Sequence, residues 1–239
     1  ANPRSKAIVH LFCATGCRPE GMADLKMKDI DFMEDGFTGI IFYSGDKHEF
    51  QHFCHFEATA AINDYLDTRK QKGEELTPET YLFSKVNCIG DEQGRMLGVG
   101  IGSVIEHLMK TSGIERVKQN KKRYDVPVCN GFRNRFNTIL ARNKNIPYAI
   151  KEKFMDHNYR LENSYFFPTK LELLNEYKKA VPELLVSKES RLKLENENKQ
   201  KQIENLESDK DIQINKMQLQ IDSMLEMFST AKELMKTKH

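Results

Sequence analysis

The chain has 239 residues, 37 Lys and Arg against 35 Asp and Glu, and a formal net charge of +2. That length suffices for one core of ordinary size plus an appendage, and its apolar stretches, such as Ala7-Ile-Val and Tyr148-Ala-Ile, fall far short of the roughly 20 residues of a membrane span. Ala1-Asn-Pro-Arg-Ser-Lys lacks the apolar run of a secretory leader, and the five cysteines, Cys13, Cys17, Cys54, Cys88 and Cys129, form an odd, scattered set that fits reduced thiols better than a disulfide framework. A cytoplasmic protein is expected.

From the N-terminus, Ser5 to Ala14 reads as an apolar helix ended by Gly16, and Pro19 to Leu25 as the start of the next, proline being tolerated in a first turn. Residues 37–43 and 50–56 are strand-like and flank the turn-rich Ser44-Gly-Asp-Lys-His48, which predicts a hairpin. Ala58 to Arg69 is a helix, Lys72 to Thr77 a loop and Thr80 to Ser84 a short extended piece. Gly100 to Ser112 is helical. The preceding run Gly98-Val-Gly-Ile-Gly102 has no apolar strand before it and is not a dinucleotide site. Three further helices are predicted over 129–143, 147–156 and 169–180. The fold class is therefore mainly α with a small antiparallel sheet.

Composition breaks near Pro182 to Val186. From Ser187 to His239 there is no glycine, no proline and a single aromatic, Phe228, which predicts one long helix. Ile214, Met217, Ile221, Met224, Phe228, Ala231 and Met235 step by three and four along a coiled-coil seam. Upstream the seam runs through Leu192, Asn196, Lys199, Ile203, Leu206 and Lys210, then takes a second consecutive step of four to Ile214, a stutter, and it is polar at several positions. Pairing is expected mainly in the second half. The domains are thus 1–186 and 187–239.

Charge is uneven despite its near balance. Arg116, Lys118, Lys121, Lys122 and Arg123 crowd one segment, and Arg133, Arg135, Arg142 and Lys144 follow. Such clustering is what tracking of phosphates requires, and equally what a solvated loop displays. His48, His52, Cys54 and His55 do not make a zinc set: on a strand His52 and Cys54 share a face that His55 leaves, and no second ligand pair follows. Cys129 has no histidine nearby to activate it.

Three groups of residues remain: Ala14-Thr-Gly-Cys-Arg18-Pro, then Gly131-Phe-Arg133-Asn-Arg135-Phe-Asn-Thr138, then Met155-Asp-His157 followed by Ser164-Tyr165-Phe166. In this order they resemble the catalytic domain of the tyrosine recombinase, or phage integrase, family. The likeness covers roughly residues 1–186, and the stretch from Ser164 to Pro182 is similar to integrases of archaeal viruses and proviruses. It implies a DNA strand cut and rejoined through a 3′-phosphotyrosyl ester, with no metal or other cofactor, on double-stranded DNA, by protomers that assemble as a tetramer in synapsis. A nucleoid-associated location and integration or excision of a mobile element go with it.

Residue by residue, the resemblance implies that Arg18 and Arg133 clamp the scissile phosphate. Their planar forks hold two oxygens and stay charged. Lys47, in the hairpin turn, is the expected general acid, and His157 hydrogen-bonds the phosphate. Asn130 stands where the family has His or Lys, so it positions rather than titrates. Gly21 stands where the family has an acidic residue, a role left to Glu20 or Asp24. Tyr165 is the expected nucleophile, with Phe166 as a replaced tyrosine the competing reading. A cleavage-deficient DNA-binding relative, and a scaffold serving the C-terminal helix, stay open beside it. Lys118, Lys121, Lys122, Arg123 and Arg135 are the expected DNA contacts. The family's N-terminal DNA-gripping domain has no room before Arg18, so the chain is expected to be a fragment.

Overall fold

A computed structural model describes residues 2–33, 36–85, 94–119, 123–156 and 167–236. It is mainly helical and divides into two compact units, Ala1–Ser190 and Arg191–His239.

Helix α1 (Pro3–Thr15) starts on an Asn2 cap and ends at Gly16, whose φ of 59° lets its N–H return to the Phe12 carbonyl at 2.9 Å. Arg18 then caps α2 (Pro19–Asp24), with proline in its first turn. A 3-10 turn (Met27–Asp29) leads into β1 (Ile30–Phe32), which pairs antiparallel with β2 (Thr38–Phe42), itself paired antiparallel with β3 (Phe50–Cys54). The predicted hairpin is thus β2–β3. The third strand, β1, is short and half-exposed, so it carries no alternation to announce it.

Helix α3 (Phe56–Gln71) lies on α1, and α4 (Gly98–Thr111) packs on α2. Helix α4 begins at Gly98, earlier than the predicted Gly100; a Cβ at 98 would stand 3.1 Å from Glu20 Oε1, so glycine there lets α4 approach α2. The basic segment forms a small hairpin, β4 (Lys118–Gln119) with β5 (Arg123–Tyr124). Helices α5 (Asn130–Arg142), α6 (Tyr148–Phe154), α7 (Lys170–Lys178) and α8 (Val181–Leu184) complete the first unit. Thr169 and Glu172 cap α7 reciprocally. Glu57 accepts the backbone N–H groups of Val186 and Ser187 at 2.7 and 2.9 Å, fixing the chain where it leaves α8. Helix α9 (Lys188–Lys236) follows; in the second unit Ile214, Met217, Ile221 and Met224 are exposed along it.

Two parts of one core set the geometry that matters. The first joins Ile8, Leu11 and Phe12 of α1 to Ile62 and Leu66 of α3, Ile40 and Phe42 of β2, and Ile101 and Ile105 of α4. In the second, the His52 ring lies 5.2 Å from Phe136 of α5, 5.2 Å from Phe154 of α6 and 5.8 Å from Tyr177 of α7. Each buried aromatic contributes about 1.5–3 kcal/mol. Tyr177 also donates its hydroxyl to the Ala14 carbonyl at 2.9 Å. Three helices distant in sequence are thereby pinned to the end of α1.

His52 and His55 are buried and neutral. The Phe53 N–H donates to His52 Nδ1 at 2.8 Å, and the Ala58 N–H donates to His55 Nδ1 where it caps α3. Burial holds each at about 4. In the unfolded chain both protonate below about 6.5, so the unfolded state takes up protons first and stability falls as pH drops from about 6.5 to about 4. The expected loss is roughly 3 kcal/mol per histidine, levelling off below the folded value. Urea unfolding at both ends of that window checks it, and His55→Asn, a cap that does not titrate, should shrink the loss. A pH-independent midpoint would refute the assignment.

Candidate phosphate-binding site

Arg18 and Arg133 are brought together by the turn that ends α1. Arg133, in the first turn of α5, donates Nη1 to the Gly16 carbonyl at 3.1 Å and Nη2 to the Met155 carbonyl. Arg18 donates Nη1 to Asp156 Oδ2 at 3.0 Å. Burial, and after it the nearby Arg18 charge, lowers the Arg133 guanidinium from its ordinary range. Two guanidiniums lie near one carboxylate, which pairs with Arg18, and this leaves net positive charge in a partly desolvated place. That is an anion seat.

The Tyr43 hydroxyl lies close to Arg18: burial raises the phenol's pKa, and the Arg18 guanidinium offsets part of that rise. Tyr43 opens the turn after β2, held by the Asp46 N–H on the Tyr43 carbonyl at 2.9 Å and by Glu49 on the Gly45 N–H at 2.7 Å. Lys47 is exposed in the same turn. Asn130 is exposed at the first position of α5, one turn before Arg133.

Neither carboxylate offered in place of residue 21 is seen on Arg18: Asp24 accepts from Arg95, and Glu20 lies against Gly98 of α4. The carboxylate on Arg18 is that of Asp156. Sequence reasoning missed it and Tyr43. A signal for Asp156 existed, since it stands directly before His157 in the Met155-Asp-His157 group, and aspartate is among the few residues that tolerate its φ of 49°.

His157, Tyr165, Phe166, Lys121 and Lys122 lie outside the described residues. Lys118 is exposed on β4 with its ammonium 5.4 Å from the Tyr124 ring, and Arg123 lies on β5. Arg135 is turned elsewhere. Its Nη2 donates to the carbonyls of Glu183 and Leu184 at 2.7 and 3.2 Å, tying α5 to α8. Arg116 is likewise engaged, with Glu106 at 2.9 Å and the Val126 carbonyl at 2.8 Å. Among the described residues, burial raises the thiols of Cys13 and Cys129 to about 11 and that of Cys17 to about 12.

The sequence profile of the phage integrase family matches residues 1–161. Among solved structures, the chain is similar to XerA recombinase, at 22% identity and a TM-score of 0.50, over 74% of this chain and 58% of that one. XerH site-specific recombinase bound to its difH substrate aligns at 15% identity and 0.50, over 75% of this chain and 42% of that one. The integrase from mycobacterium phage Brujita aligns at 15% and 0.50, over 75% and 51%. The chain spans about half the length of these proteins. No curated protein matches it.

Proposed function

This chain belongs to the phage integrase family, and on that premise we propose that it is a site-specific recombinase that cuts and rejoins DNA through a 3′-phosphotyrosyl ester. One observation carries the reading: Arg18 and Arg133, far apart in sequence, meet around a single anion seat. In this scheme they hold the non-bridging oxygens of the scissile phosphate as charge builds on them. Tyr165 attacks phosphorus, and the leaving 5′ oxygen takes its proton from Lys47 on the hairpin turn. Asn130 and His157 assist. The ester conserves the energy of the broken bond, so no cofactor is needed. Tyr165 rather than residue 166 is assigned because Ser164-Tyr165 sits as in the archaeal virus and provirus integrases that this stretch resembles.

Lys118, Lys121, Lys122 and Arg123 are assigned to the DNA backbone, where each neutralised phosphate adds affinity that salt removes. Arg135 is assigned to holding α8. A suicide duplex nicked beside the cleavage point tests the scheme. The chain should be trapped as a covalent adduct, and Tyr165→Phe should lose it completely. No adduct from the unaltered chain would favour a cleavage-deficient DNA-binding relative, and an adduct surviving Tyr165→Phe would move the nucleophile elsewhere.

Helix α9 is assigned to self-association on DNA, up to the tetramer of a synapse, because its exposed Ile214, Met217, Ile221 and Met224 form an apolar stripe. Removing residues 187–239 should leave a monomer in sedimentation and keep most DNA affinity. A truncated chain that sediments unchanged would sink that assignment. No described helix is long and apolar enough to cross a membrane, and work on chromosomal DNA would keep the protein in the cytoplasm at the nucleoid.

A further inference from the structure

Arg18 is the more exposed of the two clamp residues, with a side chain 47% exposed at the N-cap position of a short helix. Its aim must come from neighbours. Among the described residues, Tyr43 and Asp156 are the non-glycine positions with positive φ, at 54° and 49°. Asp156 accepts from Arg18 at 3.0 Å, and the Tyr43 hydroxyl lies close enough to feel its charge. For tyrosine this backbone region costs on the order of 1–3 kcal/mol, a strain that persists only where the surroundings impose it. A third residue is fitted to the pair. A Cβ at Gly21 would stand 2.9 Å from the Tyr43 hydroxyl oxygen and 3.0 Å from Cζ, so the bare backbone of α2 is what admits the phenol.

We propose that Tyr43 and Asp156 are positioning residues that together aim Arg18 at the scissile phosphate, a role that residue 21, lacking a side chain, leaves vacant. The proposal rests on the recombinase reading above. Arginine only donates, so Asp156 Oδ2 accepts from it, and the phenol oxygen beside it can only accept as well. An acceptor on each of two fixed residues sets the plane of the guanidinium and leaves its other N–H groups for the anion. A neutral phenol does this without cancelling charge. One carboxylate beside two guanidiniums leaves the place positive.

Two variants remove the contacts at little cost to the backbone. Tyr43→Gly deletes the phenol and relaxes the positive φ, and Asp156→Asn keeps a residue that tolerates it. In the DNA-free protein, phenylglyoxal modification of Arg18, followed by mass spectrometry, should speed up several-fold in each. On the suicide duplex, adduct formation should slow by about tenfold or more in Tyr43→Gly, with DNA affinity kept within about twofold. Adding Gly21→Glu to Tyr43→Gly fills the vacated space with a carboxylate and should recover much of the rate, whereas Gly21→Glu alone meets the phenol and should cleave poorly. Arg18 reactivity that is unchanged in both variants overturns the proposal, as does a double variant no faster than Tyr43→Gly. If the unaltered chain gives no adduct, the recombinase reading fails, and the reactivity of Arg18 still decides whether these two residues hold it.

Discussion

Arg18→Ala should leave the fold standing and stop the chemistry, while Arg133→Ala should damage both. Arg18 makes a partly exposed ion pair with Asp156 and lies beside Tyr43, contacts of a kind that contribute at most about 1 kcal/mol to folding. Its loss from the transition state is another matter. A guanidinium on a transferring phosphoryl group lowers the barrier by about 4 kcal/mol or more, roughly a thousandfold in rate. Arg133 serves the fold as well, because its two N–H groups close on the carbonyls of Gly16 and Met155 and so join the end of α1 to the segment after α6. Removing it leaves half-buried carbonyls without their charged donor, about 1.5–3 kcal/mol each. Urea unfolding beside the trapping assay separates the two. Arg18→Ala should unfold near the unaltered midpoint and form adduct roughly a thousandfold more slowly, with DNA affinity little changed because many phosphate contacts share it. An Arg18→Ala chain that still cleaves at the unaltered rate removes Arg18 from the clamp. One that unfolds as readily as Arg133→Ala makes the residue structural.

What could be read in advance was whatever is written locally. The end of α1, the entry to α2 and the positions of Arg18 and Arg133 follow from a left-handed glycine, a first-turn proline and a basic amphipathic helix, all of which act within a few residues. The β2–β3 hairpin is legible for the same reason. His52 is the opposite case. Its neighbours in sequence rule out a metal set without giving it a place, and its neighbours in space are rings from α5, α6 and α7, which no spacing on β3 could reveal. Arg135 belongs to a run of positive charge in sequence and to the α8 carbonyls in space. Tyr43 left no trace because nothing local marks a tyrosine as the partner of an arginine on another element. The acidic partner was sought within α2, at Glu20 or Asp24, whereas Asp156 arrives from beyond α6. Local rules locate the two arginines. Long-range packing decides what aims them.

Gly16 is where those two levels meet, and Gly16→Ala is expected to cost roughly 2–4 kcal/mol. The first part is conformational: the residue sits at φ 59°, where alanine pays about 1 kcal/mol or more. The second is steric. A Cβ there would lie 2.7 Å from Phe136 Cβ and 2.9 Å from its Cγ, and Phe136 is fully buried against His52, so α5 must give way. Overpacking of this kind adds about 1–3 kcal/mol. The same shift withdraws the Gly16 carbonyl from Arg133, so adduct formation should fall further than the unfolded fraction explains. Gly16→Asn divides the two costs, since asparagine tolerates the left-handed region but brings the same Cβ. It should regain no more than the conformational part in a urea titration. If Gly16→Asn unfolds like the unaltered chain, the overlap with Phe136 is not what glycine avoids, and the link from this turn through α5 to the arginine pair fails with it.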